Sequence, residues 1–357
     1  MSTFDFFKYL CYNIFTPFRS IQMKKGLLIA AKTAVVLIFC IVMALLGFKA
    51  FDGIKHAKFY SNADGVFKTP DIHKGFVPQG LDYVKEEKCF LATGYMSNDK
   101  ASRVYVIKED GSAACTELQK ADGSDYTGHT GGIEHYGNYV YITGGEGLDV
   151  FSYEDIFSGN GTAKLLGSVK TYNDPAHCYI ENGYILAGSF FIEEDYETPA
   201  HERVTTPCGD ENTSIITAFK LDDTQPFGID PMPKAVISTR RCVQGMCVTE
   251  DGKVILSTSF GLSTSQLFVY DTSDLPMEED FTFTGVTKSG EEFSFTDLKR
   301  YYLESEDCVE VIKAPPMSEE LVYLDGKIYV FNESACNKYI FGKITSGNKI
   351  YAYEYKK

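Results

Sequence analysis

The sequence predicts an all-β fold, a five-bladed β-propeller carried behind one N-terminal transmembrane helix. Three observations predict it. A unit of short strand, tight turn and second strand recurs five times, a third and usually a fourth strand follow each copy, and one apolar run long enough to cross a bilayer precedes them all.

The apolar run comes first in the chain. Leu27 to Phe48 spans 22 residues with Lys32 as its only charge, roughly 33 Å as a helix. Lys8, Arg19, Lys24 and Lys25 precede it against Asp5 alone, a bias that keeps residues 1–25 in the cytoplasm, makes residues 26–50 a signal anchor and sends residues 51–357 outside. The run is longer than the apolar core of a cleaved signal peptide, and no Ala-x-Ala site follows it. Residues 1–50 hold six of the 34 basic and one of the 49 acidic residues, so the body carries 28 basic and 48 acidic residues, a net charge of −20. Nucleic acid is excluded as a partner by the sign of that field.

The repeated unit reads "QGLDYVKEEKCFLATGYMS" from Gln79, "GGIEHYGNYVYITGGEG" from Gly131, "HCYIENGYILAGSFF" from His177, "QGMCVTEDGKVILSTSFG" from Gln244 and "EELVYLDGKIYVFNESA" from Glu319. Turns at Gly137-Asn138, Asn182-Gly183, Asp251-Gly252 and Asp325-Gly326, and a charged turn at Glu86-Glu87, join strands rich in β-branched and aromatic residues. Third strands begin at Arg103, Leu148, Ile215, Gln266 and Lys349, and fourth strands read "ACTELQK", "KLLGSVK", "KAVISTR" and "CVEVIKA". The fifth copy lacks a fourth strand, which residues between His56 and Lys68 are expected to supply, closing the ring and removing an exposed edge. A six-bladed ring is the alternative if Phe281 to Phe295 forms a blade of its own and not an inserted hairpin.

In such a ring the first strands line a central channel, and their N-terminal ends share a face with the loops between second and third strands. The mouth positions read Gln79, Gly131, His177, Gln244 and Glu319, with His129 close by; the ends of the second strands add Tyr95, Glu146, Ser189, Ser259 and Glu333. Gly80, Gly132 and Gly245 suit close backbone approach around a narrow axis. Buried polar groups need hydrogen-bond partners, water or an ion, so Gln79, His129, Gln244, Tyr95 and Ser259 are expected to bind a ligand. His129, His177, Glu319 and Glu333 are the candidate ligands of a divalent cation, zinc or manganese by their imidazoles or calcium by their carboxylates. The loop from Phe191 to Thr213 exceeds a hairpin connection and is expected to be a lid or a docking surface. Eight cysteines follow the anchor, an even number that permits disulfides outside the cell, and Cys208 with Cys242 is the pair that the predicted loop placement favours.

Two functions fit. The first is a tethered propeller that binds a small molecule, a glycan or a cell-surface protein at its channel face. The alternative is a metal-assisted hydrolase of lactonase, glycosidase or nucleotidase type on the same face, with Glu319, Glu333 and His177 as catalytic residues. A serine hydrolase is disfavoured by the lack of a GxSxG elbow, and tryptophan, the preferred sugar-stacking residue, is absent from the sequence.

The stretches "VPQG" (Val77 to Gly80), "GHTGG" (Gly128 to Gly132), "VQGM" (Val243 to Met246), "PPMSE" (Pro315 to Glu319) and "NESA" (Asn332 to Ala335) resemble the signature of an uncharacterised group of secreted or membrane-anchored bacterial propeller proteins. The resemblance covers most of residues 77–336 and implies the fold and an extracytoplasmic place, with no reaction attached. More distantly the chain is similar to lactonase-like and strictosidine-synthase-like propellers, without their calcium-ligand pattern.

Overall fold

In the computed structural model, residues 25–158, 160–339, 341–345 and 347–355 are described. The chain divides into two units, Met1–Phe51 and Asp52–Lys357. Helix α1 (Lys25–Lys55) contains, over Leu28–Lys55, the one stretch among the described residues long and apolar enough to cross a membrane, and its apolar side chains are exposed. Lys8, Arg19 and Lys24, on which the expected orientation rests, lie outside the described residues.

After a short helix α2 (Ala57–Tyr60) and strand β1 (Ala63–Lys68), five four-stranded antiparallel units can be followed among the described residues. The first comprises β2 (Phe76–Val84), β3 (Cys89–Met96), β4 (Arg103–Lys108) and β5 (Ala113–Gln119). The second comprises β6 (Ile133–Tyr136), β7 (Tyr139–Gly144), β8 (Gly147–Ser152) and, after helix α3 (Tyr153–Phe157), β9 (Thr162–Lys170). The third begins with β10 (Pro175–Glu181) and β11 (Tyr184–Ser189). Its long loop carries the small ladder β12 (Val204–Thr205) and β13 (Glu211–Asn212) before β14 (Ser214–Leu221) and β15 (Ile229–Thr239) complete it. The fourth comprises β16 (Val243–Val248), β17 (Val254–Thr258) and β18 (Ser265–Tyr270); a hairpin of β19 (Met277–Val286) and β20 (Glu292–Tyr302) intervenes before its outer strand β21 (Cys308–Ala314). The fifth is β22 (Ser318–Leu324), β23 (Lys327–Asn332) and β24 (Lys349–Glu354), and β1 pairs antiparallel with β24 as its outer strand.

The first strands touch in a cycle, β2 with β6, β6 with β10, β10 with β16, β16 with β22 and β22 back to β2. Apolar cores fill the gaps between successive sheets. Leu91 and Val104 meet Ile142 and Phe151; Tyr141 and Val150 meet Ile185 and Phe219; Ile255 and Leu267 meet Leu321 and Ile328. Phe331 and Ile350 of the fifth unit pack on Phe76 and Phe90 of the first, which closes the circle. The architecture is mostly β and propeller-like.

Close approach at the axis explains the glycines. A Cβ on Gly80 would lie 2.5 Å from the Gly131 carbonyl oxygen, one on Gly132 2.4 Å from the Cys178 nitrogen, and one on Gly245 2.5 Å from the Glu320 Cα. A side chain at any of the three would push neighbouring first strands apart.

Phe281 to Phe295 builds no unit of its own. It forms part of the two-stranded insertion β19–β20, which joins the third sheet through a parallel pairing of β15 with β20 and buries Phe281, Phe283 and Phe293 against Ile215 and Val236. The outer strands β5 and β9 also pair in parallel, merging the first two sheets.

The expected disulfides are corrected. Among the described residues every cysteine is free, Cys208 and Cys242 included. The Cys208 thiol turns to Asp210 (3.3 Å) and Thr206 (3.5 Å), while Cys89, Cys178, Cys247 and Cys336 are buried and serve as small apolar residues.

Candidate functional site

The N-terminal end of each first strand turns inward through an irregular register. Pairing shifts between Pro78 and Leu81, Pro175 and His177, Val243 and Gly245, and Ser318 and Leu321. Bulges of this kind re-aim a side chain. The re-aimed residues are Gln79, Ala176, Gln244 and Glu319, and Gly131 takes the same place in the second unit.

This corrects the predicted mouth ring by one residue in the third unit. His177 occupies the position that Gly80, Gly132 and Gly245 hold elsewhere, fully buried, with its ring against Gly188, where a Cβ would come within 2.1 Å of Nε2. Burial pushes its imidazole down to about 3, and neither ring nitrogen has a partner. His177 lines neither the large cavity over the mouth nor the smaller hollow beside Asp82 and Glu134. Among the described residues no three His, Cys, Asp or Glu side chains converge as a metal-ligating group, so His129, His177, Glu319 and Glu333 do not assemble a cation site.

The other predicted residues do come together. A cavity of about 970 Å³ opens over the mouth, with Gln79, Gly131, Ala176, Gln244 and Glu333 at its floor and Tyr95, His129, Ser259 and Tyr339 around its wall. Gln79 Nε2 donates to Glu333 Oε2 (3.0 Å) and to the Pro78 carbonyl (2.7 Å), and the Tyr339 hydroxyl also bonds Glu333. Burial raises the Glu333 carboxyl to about 7. Glu319, behind it, is raised well above the carboxylate range by burial and then by the charges of Glu333 and Glu320, and its Oε1 has no hydrogen-bond partner. Burial thus favours the protonated form of both carboxyls, and the Glu333 charge adds to that effect at Glu319. Tyr95 lies against His129 with ring centroids 4.5 Å apart and planes tilted by 35°, and Lys338 reaches the Tyr95 hydroxyl. His129 keeps an exposed edge, yet the surrounding protein and the Lys338 ammonium hold its imidazole below its usual range.

The long loop after β11 forms the roof, as a lid would. Phe190, residues 195–199 and residues 201–203 line the cavity from above. The loop is held by Thr198 donating to the Thr213 carbonyl (2.6 Å), Arg203 donating to the Thr198 carbonyl (2.6 Å), and the Ser189 hydroxyl bonding the buried Glu202 carboxyl (2.5 Å). The β19–β20 hairpin completes the roof. Lys288 pairs with Asp174 (2.8 Å), Ser289 Oγ donates to Glu146 Oε2 (2.6 Å), and His201 of the loop packs on Phe293 at 5.2 Å. Of the predicted rim, Ser189 and Glu146 thus fasten the roof, while Tyr95, Ser259 and Glu333 face the cavity.

Sequence reasoning missed Glu202, Lys338 and Tyr339, which lie in loops without a strand pattern, and Glu320. Glu320 stands where three other units have glycine, and its Oε1 accepts from the amides of Met246 (2.8 Å) and Leu321 (3.3 Å). The opposite end of the channel holds a second hollow of about 440 Å³ beside Asp82 and Glu134.

Glu202 gives a pH test. Burial raises its carboxyl from 4.5 to about 8, so between those values the folded chain keeps a proton that the unfolded chain has released. Stability is fully present below the lower value and falls as pH rises towards the upper one. The melting temperature is expected to drop between pH 5 and pH 8, and Glu202→Gln, which cannot ionise, to lessen that drop; an unchanged slope refutes the assignment.

No family model matches the chain and no curated protein matches its sequence. Solved structures similar to it are propeller-like. An oxidoreductase (glucose dehydrogenase) from Thermus thermophilus shares 11% identity at TM-score 0.42, over 81% of this chain and 98% of that one. The PQQ-bound aldose sugar dehydrogenase of Streptomyces coelicolor shares 11% at 0.42, over 81% and 95%. BamB from Moraxella catarrhalis shares 9% at 0.31, over 79% and 83%. At these values the likeness carries nothing about the site.

Proposed function

We propose that the chain is a membrane-tethered five-bladed propeller, held outside the cytoplasm by residues 27–48, that binds a small molecule in the roofed cavity at its channel mouth. One observation carries the reading: a cavity of about 970 Å³ gathers Gln79, Tyr95, His129, Gln244, Ser259 and Glu333 under a two-part roof. That volume is of the order of known small-molecule sites, about 300 to 1,000 Å³. A docking face for another protein would instead present an open apolar patch. The five cyclic contacts of the first strands support the blade count, and the basic bias before Leu27 supports the orientation. The likeness to anchored bacterial propellers belongs to the same reading, since its motifs contain Gln79, Gln244 and Glu333.

A second reading, hydrolysis of the bound molecule, is favoured by the Glu319 and Glu333 carboxyls, one available as proton donor and the other as base near neutral pH. No three His, Cys, Asp or Glu side chains converge among the described residues, so no step is routed through a metal.

A thermal-shift screen of small polar compounds against the full chain in non-ionic detergent tests the binding reading. Compounds that raise the melting temperature are expected to lose about tenfold in affinity, roughly 1.4 kcal/mol, in Gln79→Ala and in Gln244→Ala. Undiminished binding by both variants would remove the cavity from the account.

A further inference from the structure

Resting on the small-molecule reading, we propose that the floor of the cavity receives a small organic cation, an amine or quaternary ammonium group, between the rings of Tyr95 and Tyr339 and beside the Glu333 carboxyl with Glu319 behind it, and that Lys338 holds that place until the cation enters. Lys338 already shows the geometry. Its ammonium lies 5.0 Å from the centre of the Tyr95 ring and 5.4 Å from that of Tyr339, within the range of cation–π attraction. It bonds the Tyr95 hydroxyl and draws down the affinity of both Glu319 and Glu333 for protons. The side chain itself is exposed, so it can swing out into water without unburying anything.

The charge balance of the lining points the same way. Asp174 is neutralised by Lys288 at 2.8 Å and Glu197 by Arg203 at 3.0 Å. Those pairs leave Asp195 and Glu333 facing the cavity against Lys338, with the Glu202 carboxyl held protonated by burial near neutral pH. Two carboxyl oxygens, Glu319 Oε1 behind the floor and Glu202 Oε1 in the roof, are buried and have no hydrogen-bond partner. A cation arriving beside such acids favours their ionised form and so gains a counter-charge. Among the described residues no three His, Cys, Asp or Glu side chains converge as metal ligands, whereas aromatic faces with adjacent carboxyls suit an ammonium group on a carbon skeleton.

Choline is the probe, with dimethylbutanol, its uncharged carbon isostere, as the control, titrated calorimetrically into the full chain in non-ionic detergent. Choline is expected to bind and the isostere to bind at least about tenfold more weakly. Lys338→Met, which vacates the position and keeps an apolar stem, is expected to tighten choline about tenfold, and Glu333→Gln to weaken it about tenfold. Lys338→Gln serves as the check should the methionine fold back over the tyrosines. Loss of choline binding in both Lys338 variants would make Lys338 the ligand's partner and overturn the proposal, as would equal affinity for the isostere. If neutral or anionic compounds bind through Gln79 and Gln244 while choline does not, the cation proposal fails and the small-molecule reading stands; if no class of compound depends on those glutamines, the earlier reading fails.

Discussion

A chain beginning at Phe76 is expected to aggregate and show no cooperative melting, whereas one beginning at Asp52 folds as a soluble β protein. The shorter chain loses β1, whose pairing runs from Ala63 opposite Tyr353 to Lys68 opposite Lys349, and leaves the edge of β24 unpaired. It also loses Phe59, 1% exposed and stacked on Tyr353 at 5.3 Å, in the core shared by the fourth and fifth sheets. His56 goes with it, a buried side chain that bonds Asp52 at 3.1 Å and the Thr264 hydroxyl of the fourth unit at 3.1 Å. An aromatic side chain alone is worth about 3 to 5 kcal/mol in a core, comparable to a large part of a domain's whole stability of about 5 to 15 kcal/mol. Equal melting of the two chains, measured by circular dichroism, would show that closure by β1 is dispensable.

Gly132→Ala is expected to destabilise the protein by about 3 kcal/mol or more, at the upper end of overpacking costs, and to lower the melting temperature by about 5 °C or more. The added Cβ meets main chain on β10, 2.4 Å from the Cys178 nitrogen and 2.8 Å from the His177 Cα, and neither can rotate away as a side chain would. The two first strands must separate, and the ring transmits that displacement to its other members. A change below about 1 kcal/mol in denaturant unfolding would mean that the axis is looser than these contacts imply.

The repeat, the closing strand and the N-terminal apolar helix were legible because each is written locally, in alternating apolar runs, two-residue turns and one long apolar segment. Asn182-Gly183 and Asp325-Gly326 have positive φ at both residues, as a tight hairpin turn requires. The misplacement of His177 came from aligning on polar character when the turn sets the register. Counting back six residues from Asp325 reaches Glu319, and six from Asn182 reaches Ala176, so the one-residue slip was readable in the sequence. Other features had no local signal. Glu202, Lys338 and Tyr339 reach the cavity from irregular loops, and the parallel pairing of β15 with β20 joins segments about 60 residues apart, a distance over which propensity says nothing. The cysteines misled because their even number after the long apolar segment points to bridges, while four of them are core side chains.

Hydrogen–deuterium exchange of the full chain, with and without a compound that raises its melting temperature, tests the central claim most directly. Binding between floor and roof predicts slowed exchange in three segments together: residues 190–203 of the long loop, 286–291 of the inserted hairpin and 333–339 after β23. Protection confined to the opposite hollow at Asp82 and Glu134 to Tyr136, or spread over the outer strands with the roof unchanged, would contradict it.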